Sequence, residues 1–150
     1  MKMLVLLGTL GLCLVGMSAR APAVGCVGCT GSAPSSQTTT IGTSWVKVEV
    51  SVGSGTCVED TIVSCTKTPC EYSTLWSWHD QTPNTNIYLC IRTDGGTRVC
   101  VDPAPTVDST GNGNYPDSDF IKCGSTKTFT ITIGTMSASA NGSCSSCNHF

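Results

Sequence analysis

The sequence predicts an all-β protein: a disulfide-stapled antiparallel β-sandwich, with a small β-barrel as the alternative. Three observations predict it. Apolar and polar residues alternate with period two in several short segments rich in Val, Ile, Thr, Tyr and Trp. No segment after residue 23 carries the 3.6-residue period of an amphipathic helix. Cys is abundant, with 11 in 150 residues, and the chain opens on what reads as an export signal.

That opening segment is residues 1–23, MKMLVLLGTLGLCLVGMSARAPA. Lys2 precedes an apolar run from Met3 to Met17, and Ala21-Pro22-Ala23 supplies the small-x-small cleavage pattern. The run is shorter than the roughly 20 residues of a membrane span and contains three Gly, so a signal peptide cleaved after Ala23 is expected. Cleavage removes Cys13, Lys2 and Arg20. It leaves 127 residues with ten Cys and six basic against ten acidic residues, a net charge of −4. No later segment is apolar enough to span a bilayer. The acidic balance argues against nucleic acid as a partner. The expected location is secreted or extracellular, periplasmic or cell-surface in a bacterium.

Residues 24–44 are rich in Gly, Ser and Thr and show no periodicity, which reads as an extended lead-in. Residues 45–150 read as a single β domain. Trp45–Val52 alternates Val46, Val48, Val50 and Val52 against Trp45, Lys47, Glu49 and Ser51, the pattern of a half-buried strand. Short strand candidates follow at 57–58 and 61–65. Glu71–His79 places Tyr72, Thr74, Trp76 and Trp78 on one face. Residues 87–92 and 97–101 flank Thr93-Asp94-Gly95-Gly96, and Asp-Gly between alternating segments predicts a hairpin. Residues 108–119 read as a polar loop, 120–123 as a short strand and 127–136 as the last strong one. One apolar face per strand suits two sheets packed together.

Four features could carry chemistry. The first is the cysteines. Cys26, Cys29, Cys57, Cys65, Cys70, Cys90, Cys100, Cys123, Cys144 and Cys147 form an even set in an exported chain and are expected as disulfides. Cys26/Cys29 and Cys144/Cys147 are Cys-x-x-Cys pairs near the two ends of the mature chain. Zinc could use that spacing, but an exported chain meets oxidants first. Thioredoxin-like chemistry needs a helix N-terminus that the pattern does not provide. The two terminal pairs are expected to join each other, because the loop so closed is the longest available.

The second is a loop that fits part of the twelve-residue calcium template, with Asp108, Thr110, Asn112, Asn114 and Asp119 as oxygen ligands and Gly113 at the turn. Calcium is the one cofactor the sequence suggests. The third is the row Tyr72, Trp76 and Trp78, which would bind sugar rings if exposed and form core if buried. The fourth is His79-Asp80, which a small extracellular hydrolase could use, although no nucleophile-elbow motif accompanies it. The expectation is therefore a secreted protein with a structural, surface-display or binding role and no catalytic residues. Its partner would be an extracellular protein or a carbohydrate. A carbohydrate module on the Trp/Tyr face is the alternative, and a hydrolase the second.

Overall fold

The computed structural model describes residues 28–55, 57–61 and 64–145, of which 57–61 and 64–67 are described by their backbone alone. The expected signal peptide, Cys26, Cys147 and any bridge made by Cys57 or Cys65 lie outside the described residues and side chains. All regular structure among the described residues is β, in ten strands. These are β1 (Ser35–Ile41), β2 (Ser44–Val52), β3 (Cys57–Thr61), β4 (Ser64–Lys67), β5 (Cys70–His79), β6 (Ile87–Thr93), β7 (Arg98–Cys100), β8 (Gly113–Ile121), β9 (Thr126–Ile133) and β10 (Met136–Ser143). One antiparallel sheet has the order β1-β2-β5-β8 and the other β10-β9-β6-β7, while β3 and β4 form a separate hairpin. The expected stapled sandwich is the observed architecture.

The core follows from the alternation. In the first sheet Val46, Val48 and Val50 pair with Trp78, Trp76 and Thr74, so all six share the inward face. In the second sheet Ile87, Leu89 and Ile91 pair with Ile133, Ile131 and Phe129. Phe129 lies between the sheets, 4.8 Å from the Tyr72 ring and 6.2 Å from Trp76. Each fully buried Val, Ile, Leu or Phe contributes roughly 1.5–3 kcal/mol. Strand β10 brings only small residues inward after Met136, namely Ala138, Ala140 and Gly142. This lets β2 come close: a Cβ on Gly142 would stand 2.9 Å from a Val50 methyl and 2.8 Å from one of Val52. The Asp94-Gly95 hairpin forms as expected, with φ of +47° and +70°, the two left-handed residues of a type I′ turn.

The largest departures from the sequence reading are three sheet edges; β3 also runs over Cys57–Thr61 and β4 over Ser64–Lys67, where strands at 57–58 and 61–65 are expected. Residues 35–41, placed in the lead-in, form β1. Most of the polar loop 108–119 is β8. The strand expected over 127–136 turns at Gly134-Thr135 and returns as β10.

Three disulfides join described residues: Cys29–Cys123, Cys70–Cys144 and Cys90–Cys100. The expected pairing of the chain ends is not what Cys29 and Cys144 do, since each bridges to a mid-chain Cys. The ends do meet, but through backbone. Ser32 N–H donates to Ser143 O and Ser145 N–H to Thr30 O, each at 2.8 Å. The sulfurs of Cys29, Cys123 and Cys144 consequently lie within 4.8 Å of one another. Cys70–Cys144 ties β5 to the end of β10, which links the two sheets.

Sequence separations of 94 and 74 make the two long bridges worth ~4–5 kcal/mol each, taken singly, by loop-closure entropy, against ~3 kcal/mol for the separation of 10. Cys70→Ala/Cys144→Ala is therefore expected to lower the urea midpoint more than Cys90→Ala/Cys100→Ala. Equal losses in paired denaturation curves would contradict this.

Candidate functional site

The calcium template is not gathered into one loop. Asp108, Thr110 and Asn112 lie in the turn before β8, whereas Asn114 and Asp119 lie in β8 itself. Asn114 pairs with Ser77 on the outer face and Asp119 with Tyr72 on the inner one. Six strand residues also carry Asp119 roughly 20 Å beyond Gly113. The turn uses its own polar atoms. Asp108 Oδ1 accepts from the Thr110 hydroxyl at 2.6 Å and its N–H at 2.8 Å, which holds the carboxyl below the usual carboxylate range. Asn112 accepts from Asp80 N–H at 3.0 Å and donates to Thr110 O at 2.8 Å. These bonds form an Asx-type turn. Asp108→Ala is expected to lower the melting temperature equally in millimolar calcium and in chelator. A loss seen only in calcium would show that the turn holds the ion.

The aromatic row is buried, not displayed. Tyr72 and Trp76 are 1% exposed and Trp78 is 8% exposed, so they are core and form no exposed platform for sugars. Trp78 packs over Gly113, where a Cβ would stand 2.5 Å from the indole. His79 points to the opposite face and stacks on Trp45 at 5.6 Å. Asp80 accepts a hydrogen bond from the Thr43 hydroxyl. Both residues therefore pack on residues 43–45, the turn into β2 and its first residues. The three described disulfides hold six of the ten expected cysteines.

The sandwich has two seams, and they differ. At one, β1 faces β10. Ser35, Gln37 and Thr39 share the inward face with Val50, Val48 and Val46. They close the seam by bonding the β10 backbone: the Ser35 hydroxyl donates to Asn141 O at 2.6 Å, Ser139 N–H donates to Gln37 Oε1 at 2.5 Å, and the Thr39 hydroxyl donates to Ser137 O at 2.7 Å. At the other seam, β8 and β7 are both sheet edges, and between them lies a groove of about 450 Å³.

Tyr72, Trp76 and Tyr115 form one side of this groove, Ile91, Val99 and Val101 another, and Asp117, Asp119 and Lys127 supply its charge. Register places Tyr115, Asp117 and Asp119 on the inward face of β8, opposite Trp76, Thr74 and Tyr72. Tyr72 organises the charges. Its hydroxyl donates to Asp117 Oδ2 at 3.1 Å, and Lys127 Nζ sits 4.8 Å over its ring and 3.9 Å from Asp119 Oδ2. Burial, and then the Asp117 charge, push the Tyr72 phenol well above its ordinary range, so it remains a fixed donor. The indole N–H of Trp76 is buried and has no acceptor among the described residues. Val99 is 70% exposed at the rim.

A wider depression of about 620 Å³ crosses the outer face of the first sheet. Glu49 is the one charged residue in its lining, and Lys47 pairs with it at 2.8 Å. The groove brings together more convergent polar groups.

Sequence reasoning named Tyr72, Trp76 and Asp119 for other purposes and missed Tyr115, Asp117 and Lys127. The available signal was the alternation of Tyr115, Asp117 and Asp119 against Asn114, Pro116 and Ser118. Comparison with family models, curated proteins and solved structures finds no match to this chain. The fold and groove themselves define the class: a disulfide-rich all-β protein compatible with an extracellular structural or binding role. No helix among the described residues is long and apolar enough to cross a membrane.

The Tyr72 shift has a sign. Above about pH 10 the unfolded chain loses this phenol proton while the folded protein retains it, so stability is complete below that value and falls as pH rises past it. Tyr72→Phe should flatten that alkaline fall in urea titrations. An unchanged slope would place the effect elsewhere.

Proposed function

We propose that the protein is an exported, non-catalytic binding protein, and that the groove between β7 and β8 is its ligand site. One observation carries this reading. The fold closes the β1/β10 seam with side-chain bonds and leaves the β7/β8 seam as a cavity with an aromatic wall, an exposed apolar rim and three charged side chains. A volume of about 450 Å³ lies within the ordinary range of small-ligand pockets, roughly 300–1,000 Å³. The partner classes that suit an exported chain are an extracellular protein or carbohydrate. The disulfides support a life in an oxidising compartment.

The absence of catalysis is part of the proposal. Asp117 and Asp119 are two residues apart on one strand, hence on one wall, whereas glycoside hydrolysis needs carboxylates flanking the bond. His79 is held against Trp45 on the outer face of the sheet, away from the groove.

The test is an amide chemical-shift map of the labelled protein with neutral, cationic and anionic fragments. Perturbations are expected on β7, β8 and the start of β9. Shifts confined to the outer face of either sheet would reject the groove. Hydrolysis of p-nitrophenyl esters that disappears in His79→Ala would reject the non-catalytic reading.

A further inference from the structure

The geometry points to a saccharide as the ligand of the β7/β8 groove, a neutral polyol held by Asp117, Asp119, Lys127 and the Trp76 indole with its C–H face on the aromatic and aliphatic walls. This rests on the reading of the groove as a ligand site and names the chemistry that fits it.

An added polypeptide strand is the first alternative, because β7 and β8 are sheet edges. Pro116 sits in the middle of β8 and offers no N–H, and β7 is three residues long. Short edges and edge prolines are the devices that prevent strand addition. A cationic ligand is the second alternative, because the groove is acidic and aromatic. Its place over the Tyr72 ring is already taken by the ammonium of Lys127, 4.8 Å from the ring centroid and 3.9 Å from Asp119. An anionic ligand meets two carboxylates on the same wall.

What remains is a neutral molecule able to donate and accept at close spacing. Asp117 and Asp119 accept hydrogen bonds, and Lys127 donates them. Trp76 lines the groove, and its buried N–H, like that of Trp78 outside it, has no acceptor among the described residues, a state that costs free energy until an acceptor arrives. A sugar hydroxyl is both donor and acceptor, and adjacent hydroxyls can serve a carboxylate and an ammonium together. The apolar part of the lining, Tyr115 with Ile91, Val99 and Val101, suits the C–H face of a pyranose ring. Asp117 is pre-positioned by the Tyr72 hydroxyl, which occupies one of its oxygens and leaves the other for a ligand.

This site differs from a displayed row of Tyr72, Trp76 and Trp78. Trp78 takes no part in it, and Tyr72 serves as the post that holds the charges.

The experiment is isothermal titration of the oxidised protein, without residues 1–23, with D-glucose, D-galactose, D-mannose, N-acetyl-D-glucosamine and their β-1,4-linked dimers. Tetramethylammonium chloride and 1-anilinonaphthalene-8-sulfonate serve as cationic and apolar probes. At least one saccharide is expected to bind with Kd in the ~0.1–10 mM range. Asp117→Asn and Trp76→Phe, each checked for native circular dichroism, should weaken it about tenfold or more, and His79→Ala should leave it unchanged. If no saccharide binds at ~20 mM but either probe does, and Val99→Glu changes that binding, the ligand class is wrong and the groove stands. If neither saccharide nor probe binds, the groove reading falls with the proposal. Saccharide binding indifferent to both Asp117→Asn and Trp76→Phe places the sugar elsewhere and overturns the assignment.

Discussion

The three hydrogen bonds that Ser35, Gln37 and Thr39 make with the edge of β10 set the shape of the rest of the molecule. Two four-stranded sheets present four edges, and each edge carries unpaired backbone groups. At the β1/β10 seam the inward residues of β1 are polar, so they reach across the gap and bond the β10 backbone instead of adding to the core. Residues 30–32 reinforce the junction by pairing with residues 143–145. The small residues Ala138, Ala140 and Gly142 then become necessary, because a seam pulled shut leaves no room for larger ones. The opposite seam opens by the same geometry. Its inward edge residues are large or charged, and they hold β8 and β7 apart.

The described disulfides fall into two kinds. Cys29–Cys123 and Cys70–Cys144 cluster at one end of the sandwich and bind the lead-in, the β8/β9 connection and the end of β10 into one block. Cys90–Cys100 is a local rung between register partners of β6 and β7. It stiffens the short strand at the open seam without drawing the two sheets together. A chain of this size buries only about two-thirds of its unfolded surface.

Legibility in the sequence followed exposure. Strands β2, β5, β6 and β9 are interior to their sheets, and their runs of Val, Ile, Phe and Trp announce them. The Asp94-Gly95 turn was readable because only residues that tolerate positive φ suit it. The edges β1, β8 and β10 were not read as strands. SSQTTTI and GNYPDSDFI bury too little to show an apolar face, and MSASANGS alternates with side chains too small to register as hydrophobic. The candidate site suffered most from this, since β8 supplies half of its polar groups. Reading Asp108–Asp119 as one loop drew Asp119 into a calcium template that the strand geometry pulls apart. The pairing of Cys29 and Cys144 was misjudged for a different reason. Loop-closure entropy favours joining the ends, but it is nearly flat in loop length, so local backbone geometry chose partners 94 and 74 residues away at little cost.

Inward carboxylates on an edge strand guard it against pairing, and the proposed ligand role is compatible with that one. Asp117 and Asp119 discourage strand addition along β8, because a second sheet laid there would bury their charge. The same placement puts them in the lining of the groove, where the proposed ligand would meet them. Tyr72 makes the arrangement durable: its ring is packed on Phe129 in the core, its hydroxyl fixes Asp117, and its face holds Lys127. A single buried side chain therefore transmits the rigidity of the core to Asp117 and Lys127. The groove is an extension of the core packing, completed at its β7 side by Thr97 and Val101 from the flanking connections.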